Sequence, residues 1–567
     1  MKASNKYSVK ASKLFFIIIL SILYLSIDRI SARDFAHVFL SKGIYETCED
    51  LWFKCLVLDD STFRLSDKAH TAFVEVVNPN DSVVWKEKYP VVNGECDGQI
   101  YVGDDWETGE YRMYVSTRNT LESTDSVMFP KRLLIVKELP EVQDFVSTWS
   151  KESDKLDSDT VFRQFKPLKV TVELDSTEYH TRSTVKARVT VTDFYGNPVQ
   201  TKIALTVYDR LYNYPSGNLG LLSHCYGRAN NIAQSNIDSK NVFLSDGPVS
   251  GRLVAKKKTK ALSSEGQFIN VFDFSNTTGS LNIVETSEDG DFEVPSDIAS
   301  ALGWELLLKP VSGQKMKPEI DFEDSFASID KVREHSEDGY FPNIHLKDSV
   351  TDNVDSLDFS GRRIVKLEEI VVKGHAGRYP KRNKLLGYLD SISTLYGNAW
   401  VCGCPAGHGT TFLNDYIPGY THHPGNESYQ PVKRSLPVKG KSYTVVKYTG
   451  GNYLVDYLVD IKIIEYTGPK YSEEELLRKN GLWKSKGFYP KHNFEIPTEE
   501  DWAYGLEDNR NTLLWETELL TDPLGEASIE IKTSDITSSF IIKGICWGLE
   551  GQNLGEFDIM FNVASSN

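Results

Sequence analysis

Apolar and polar residues alternate with a period of two over much of the chain, the pattern of half-buried strands. Ala72, Val74 and Val76 share one face, Asn78-Pro79-Asn80-Asp81 predicts a turn, and Val83-Val84-Trp85 begins the return strand. Tyr111, Met113 and Val115 alternate with Arg112, Tyr114 and Ser116 behind a turn at Thr108-Gly109, with 104–106 as a loop. The clearest hairpin sets Val185, Ala187, Val189 and Val191 against Lys186, Arg188, Thr190 and Thr192, turns at 193–198, and returns through Ile203, Leu205 and Val207. Further strands are predicted at 250–254 and 271–274. At Thr286-x-x-Asp289-Gly290-x-Phe292 the Asp-Gly pair predicts a tight turn and Phe292 a core position. The last β stretch, 508–563, carries Arg510-x-Thr512-Leu-Leu-Trp515, then Thr521-Asp522-x-x-Gly525-x-Ala527, then Ile529 and Ile531 alternating with Glu530 and Lys532. Two polar stretches, 139–168 and 313–365, read as linkers, the second with short helices.

At 567 residues the chain exceeds one hydrophobic core, and several domains are expected. A hydrophobic content of 40%, with 28 Tyr, 27 Phe and 10 Trp, excludes general disorder. The formal charge of −17 and the lack of a basic cluster with interleaved aromatics argue against nucleic-acid binding. Four lysines precede the apolar run Leu14–Ile27, which is shorter than the span of about 20 residues a membrane helix needs. It reads as a signal peptide over 1–32, cleaved after Ala32, with an uncleaved anchor as the alternative. The remainder is expected to have no transmembrane span, and so to be soluble or held at a membrane by partners.

Of seven cysteines, Cys48, Cys55 and Cys96 share the first module, Cys402 and Cys404 are nearly adjacent, and Cys225 and Cys546 are isolated. In an oxidising compartment they allow up to three disulfides, with the pairing open. The densest chemistry lies in Trp400–His423, where Cys402, Cys404, His408, His422 and His423 could offer zinc or copper ligands, or a redox pair. The spacing matches no structural zinc pattern, and a Gly/Pro-rich surface loop is the simpler reading. H-E-x-x-H, G-x-S-x-G and P-loop patterns are missing, so no catalytic, cofactor-binding or metal residue is assigned and no enzyme is expected. Glu368-Glu369 and Glu473-Glu474-Glu475 read as solvated surface, the basic run 256–260 as a loop, and Trp52, Trp85, Trp106 and Trp515 as packing residues.

Tyr45-x-x-Cys48-Glu49, Leu51-Trp52-Phe53-Lys54, Asn78-Pro79 and Gly109-Glu-Tyr-Arg112 resemble a macroglobulin domain of α-macroglobulins, complement proteins and Bacteroidetes-type envelope proteins, with Cys48 where the family has Gly. Tyr179 with Val191-x-Asp193-x-x-Gly196-x-Pro198 resembles a second such repeat. Thr286–Phe292 resembles the carboxypeptidase regulatory domain, and Leu367–Gly374 with Val459–Glu465 resembles the plug of TonB-dependent receptors. The resemblance implies a mostly β protein: macroglobulin/Ig-like antiparallel sandwiches in tandem plus a small α+β plug-like segment. The expected plan is a sandwich over 33–138, a linker over 139–168, a second sandwich over 169–246, a regulatory-like domain over 247–312, a linker over 313–365, a plug-like segment over 366–470 and a closing sandwich over 471–567. Val401-Cys-Gly-Cys-Pro405 lacks the Glu and Gln of a thioester, so protease trapping is not implied. What is implied is a non-enzymatic, exported binding or assembly scaffold of a Gram-negative envelope, in the periplasm, at the outer membrane or on the surface. Its expected partners are outer-membrane or envelope proteins and a peptide or glycan ligand. An enzyme or metal protein using Cys402–His423, and a purely structural envelope component, are the alternatives.

Overall fold

The computed structural model describes residues 34–121, 129–137, 166–214, 220–229, 244–255, 267–273, 282–311, 318–335, 389, 399–402, 411–414, 429–431, 437–449, 457–503, 505–549 and 553–565. The chain forms two compact units, Met1–Leu306 with Ile320–Arg363 and Ser485–Asn567, and Leu307–Glu319 with Ile364–Lys484. Both are built mainly of antiparallel sheets.

The first sandwich contains β1 (Asp34–Leu40), β2 (Ile44–Glu46), β3 (Asp50–Asp59), β4 (Thr71–Val77), β5 (Val83–Pro90), β6 (Glu95–Tyr101), β7 (Gly109–Ser116) and β8 (Lys131–Val136). One sheet has the order β1-β3-β6, the other β2-β8-β7-β4-β5. Leu51, Phe53, Cys55 and Val57 of β3 meet Ala72, Val74, Val76, Tyr111 and Met113 between the sheets, as the alternation requires. The opposite face of β4 is not solvated. Phe73 and Val77 lie under Phe326, Ile329 and Val332 of the helix Ser325–His335, which falls within the stretch expected to be a linker. Those three side chains recur every three residues, enough for one apolar helical stripe but too few to stand out in a polar sequence. Glu75, in the middle of β4, is buried and paired with Arg333 of that helix and, at 3.4 Å, with Lys86.

The second sandwich corrects the expected domain plan. β9 (Lys169–Leu174), β10 (Glu178–His180), β11 (Thr184–Thr192) and β12 (Thr201–Asp209) combine with β25 (Thr512–Leu520), β26 (Glu526–Lys532), β27 (Ser538–Gly548) and β28 (Leu554–Ala564) in two sheets, β10-β28-β27-β12-β25 and β26-β11-β9. The segments 169–246 and 471–567, expected as separate sandwiches, are thus halves of one fold. Neither has enough strands to cover its own apolar faces. Val185, Val189, Leu205 and Val207 share a core with Leu513, Ile531, Phe540 and Phe561.

Everything between β12 and β25 is an insertion. In the first unit it supplies β13 (Val249–Ala255) paired with β16 (Asp291–Val294), and β14 (Phe268–Asp273) paired with β15 (Asn282–Glu285). Gly290 turns the chain at φ 86° and Phe292 is buried, as read from the sequence. β17 (Glu305–Val311), β18 (Pro318–Phe322) and β24 (Trp483–Lys486) lie where the chain passes from one unit to the other. The second unit holds β19 (Ala399–Cys402), β20 (Thr411–Asn414), β21 (Tyr429–Pro431), β22 (Ser442–Thr449) and β23 (Tyr457–Glu465) in the order β21-β19-β20-β22-β23. Residues 459–465 lie within β23, and the strand expected at 367–374 lies outside the described residues.

Three turns share one design. Asn78, Asp193 and Asp522 each accept, through a side-chain oxygen, the N–H groups two and four residues on, at 2.8–3.0 Å. The fourth residue of each is left-handed, Asp81 at φ 60°, Gly196 at 86° and Gly525 at 74°. Cys48 also stands left-handed, at φ 67°, with its N–H donated to Val102 O at 2.7 Å. Its side chain is exposed, holds no disulfide and hydrogen-bonds with Tyr101, while the left-handed backbone carries the strain. Cys48→Gly is expected to stabilise the protein by about 0.5–1 kcal/mol, seen as a higher urea midpoint at unchanged slope.

Candidate functional site

Two buried seams join the sandwiches. In one, Phe35, Phe39, Trp52 and Leu56 of the first meet Ala204, Trp515, Ile545 and Trp547 of the second, with Leu221 and Cys225 of the helix Leu221–Ala229. In the other, Ile44, Leu134 and Val136 meet Tyr208, Tyr212 and Ile541. Three of the tryptophans read as packing residues, Trp52, Trp106 and Trp515, are buried, and Trp515 stacks on Phe39 with centroids 5.6 Å apart.

The seams also hold charge. Lys42, almost fully buried, meets Glu49 at 2.7 Å and Asn511 at 2.6 Å, with its ammonium 4.5 Å from the Tyr212 ring centre. Lys54, 1% exposed, lies 2.8 Å from Glu95 and 3.9 Å from Asp97, and 5.5 Å from the Trp547 ring centre. Glu95 is gripped a second time by Lys202 at 2.8 Å, and it accepts the Trp547 indole N–H at 3.3 Å. Asp97 pairs with Lys491. The result is an alternating row, Lys202–Glu95–Lys54–Asp97–Lys491. Burial acts to raise the Glu95 carboxyl, but the ammonium groups of Lys54 and Lys202 outweigh it and hold the group below the ordinary carboxylate value.

This row floors a cleft of about 430 Å³ whose other walls are Tyr89, Phe488, Tyr489, Ala299, Gly303 and Glu518. Segments far apart in sequence build it: the β5–β6 turn, the start of β12, the end of β25, the helix Ser296–Leu302 and the run 488–491. That run is tied down by Tyr489 N–H to Lys88 O at 2.8 Å and by Gln99 Nε2 to Pro490 O at 2.8 Å. Tyr489 lies among Trp85, Tyr89 and Trp304, with centroids 5.0–5.7 Å away. The Lys202 and Lys491 side chains, 34% and 47% exposed, reach the rim while paired with Glu95 and Asp97, and the carboxylates beneath are largely covered.

A second buried polar group lies beside the first seam. His37 Nδ1 of β1 is 3.3 Å from His224 Nδ1. Burial, then the charges of His224, Lys131 and Lys543, push His37 well below 6.5. Lys131 of β8 is lowered to about 7 by burial and Lys543, against Glu556. Burial raises Glu556, opposed by Lys543, by N–H groups of Leu221 and Leu222 and by Lys131. A base depressed in the folded state costs nothing above its unfolded value and destabilises below it, because the unfolded chain then binds the proton. Stability from His37 is expected to fall by about 1.4 kcal/mol for each pH unit below 6.5, down to its folded value. Urea unfolding between pH 7.5 and 5 checks this: His37→Gln should remove that part of the slope, leaving the opposing slope from Glu556 in place.

From the sequence no cleft residue is assigned a site role, and Lys54 enters only within the macroglobulin-like motif Leu51-Trp52-Phe53-Lys54. The available signal was a lysine at position 54 inside the apolar strand Leu51–Leu58. Of the residues that were singled out, Cys402 ends β19, while Cys404, His408, His422 and His423 lie outside the described residues, as does the basic run 256–260. Glu473, Glu474 and Glu475 form the exposed first turn of a helix capped by Ser472. Among the described residues no three His, Cys, Asp or Glu side chains converge on a metal-sized site, and no helix is long and apolar enough to cross a membrane.

No protein-family model matches the sequence, and none of the curated proteins does. Among solved structures, Escherichia coli alpha-2-macroglobulin activated by porcine elastase is similar at 8% identity over 94% of this chain and 44% of that chain, with TM-score 0.25. The native conformation of the same protein gives 11%, 94%, 40% and 0.25. A tetra-tandem repeat from the extending region of a large adhesion protein gives 12% identity over 52% of this chain and 75% of that one, with TM-score 0.14. The chain spans less than half the length of the macroglobulin chains it matches. TM-scores this low carry no argument about fold or function.

Proposed function

We propose that this protein is a non-enzymatic, exported binding and assembly scaffold of the bacterial envelope, and that the cleft over Lys54, Glu95 and Asp97 takes an extended peptide segment bearing carboxylates. One observation carries the reading: two sandwiches locked by buried seams hold a charged and aromatic cleft that neither could form alone. Lys202 and Lys491, partly exposed at its rim, have ammonium protons beyond those their pairs with Glu95 and Asp97 use, and Tyr489 and Phe488 offer an apolar wall. A rigid, pre-formed cleft lowers the ordering cost of binding. That the partner is an outer-membrane receptor or surface complex is part of this proposal, and it rests on the macroglobulin, regulatory-domain and plug resemblances of the sequence alone.

The test is a pull-down from solubilised envelopes together with peptide and glycan arrays, using the wild type and Lys202→Glu/Lys491→Glu. An outer-membrane protein and acidic peptides captured by the wild type, with a loss of about tenfold or more in the variant, support the proposal. Recovery of no outer-membrane protein removes the docking half. Glycan binding without peptide binding, or no saturable binding, overturns the peptide assignment.

A further inference from the structure

We infer that Cys55 and Cys96 are the disulfide pair of the first sandwich. They are register partners on the antiparallel strands β3 and β6, so both side chains leave the sheet on the same face, and both are buried in the same core. Val57 N–H donates to Gly94 O at 2.8 Å, and the Cys55–Cys96 pair lies one repeat of the ladder further along. It is therefore a hydrogen-bonded pair, whose Cα atoms stand about 5.5 Å apart. That falls inside the roughly 4.4–6.8 Å a disulfide spans.

Three other cysteines whose side chains are described, Cys48, Cys225 and Cys546, are placed elsewhere. Cys48 precedes β3, seven residues of near-extended chain from Cys55, a separation of about 20 Å or more. Cys225 belongs to the seam on the opposite face of the β1-β3-β6 sheet, and Cys546 to the core of the second sandwich. The bridge has a use in the fold. Lys54, Glu95 and Asp97, the floor of the cleft, are the immediate neighbours of the two cysteines on the same strands. A link on the inner face holds fixed the two strands that present the charged row on the outer face.

The structure holds both residues as thiols, sealed from solvent. Burial pushes Cys55 up to about 12 and Cys96 well above its ordinary value, so the thiolate needed for exchange is scarce in the folded state. The bond must form before β3 and β6 close. One thiolate attacks the disulfide of a small-molecule or protein oxidant and displaces a thiol. The second attacks the mixed disulfide and displaces the other. The cysteines lose two protons and two electrons, and the oxidant leaves as two thiols. Meeting such an oxidant in the cell rests on the reading that the protein is exported. The pairing does not.

The experiment reduces and unfolds the full chain, refolds it in glutathione redox buffer, blocks remaining thiols and maps peptides without reduction. The expected result is a peptide joining Cys55 to Cys96, two hydrogens lighter than its separate parts, and a Tm about 5 °C or more above the reduced form. Protein folded first and then exposed to the same buffer should form the link far more slowly. The link should persist in Cys48→Ala, and the Tm difference should vanish in Cys55→Ala/Cys96→Ala. Separate blocking of both residues after refolding, or a link from either to another cysteine, overturns the assignment. A link formed in vitro with both thiols free in protein taken from its own cells supports the pair and counts against export, so the two readings fail separately.

Discussion

Replacing Glu95 by alanine is expected to lower the unfolding free energy by about 3–5 kcal/mol, because it leaves a charged lysine buried without its main partner. Lys54 is 1% exposed and lies 2.8 Å from Glu95, against 3.9 Å from Asp97, so Asp97 is too distant to take over. The same change frees Lys202 and the Trp547 indole N–H. Since both of those belong to the second sandwich, the loss should act on the joint between the sandwiches as well as on the first core. Glu95→Gln keeps an acceptor and should cost less. Lys54→Met with Glu95→Leu removes both charges and should recover much of the loss, because well-packed apolar groups often replace a buried pair at little cost. Denaturant unfolding of the four proteins measures this. The pH dependence has a fixed sign. A carboxyl held below its ordinary value stabilises the fold above its unfolded value of 4.5, and the contribution is lost as pH falls through the folded value. The gap between the wild type and Glu95→Ala should therefore close in acid.

What could be read in advance divides along a physical line. The strands, their inward faces and three turns follow from local chemistry, and Val185–Val191, Ile203–Val207 and Asp193–Gly196 formed as the alternation and turn residues dictate. Strand partners are set by which apolar faces remain uncovered once the whole chain is present, and no local pattern carries that. β12 takes β27 and β25 as its neighbours, from beyond the long insertion. The two stretches looked like separate sandwiches because each repeats the same signals. The cleft shares this limit, since Glu95 and Lys202 gain meaning only when β6 and β12 meet. A charged residue inside an apolar strand is the local trace that survives. Lys54 in β3 and Glu75 in β4 both prove to be paired across segments.

Besides the strand pairing and the shared core, the two halves of the second sandwich meet in one close backbone approach at a glycine. Gly525, in the turn between β25 and β26, accepts Val191 N–H at 2.8 Å through its carbonyl, and its α-carbon faces the start of the 193–198 turn. A Cβ there would overlap the Val191 carbonyl oxygen and press to 3.2 Å from Val199 N. Both are backbone atoms that no rotamer can move aside. The φ of 74° adds the left-handed strain that any other residue pays. Gly525→Ala is expected to destabilise the protein by about 2–4 kcal/mol. Gly196→Ala is the internal control: it has the same turn and a φ of 86°, but open space around its α-carbon. It should lose only about 1 kcal/mol, the conformational part. If the two substitutions cost the same in urea unfolding, the close approach between the halves contributes nothing. A larger loss for Gly525→Ala assigns the difference to the contact that joins residues 169–209 to residues 512–564.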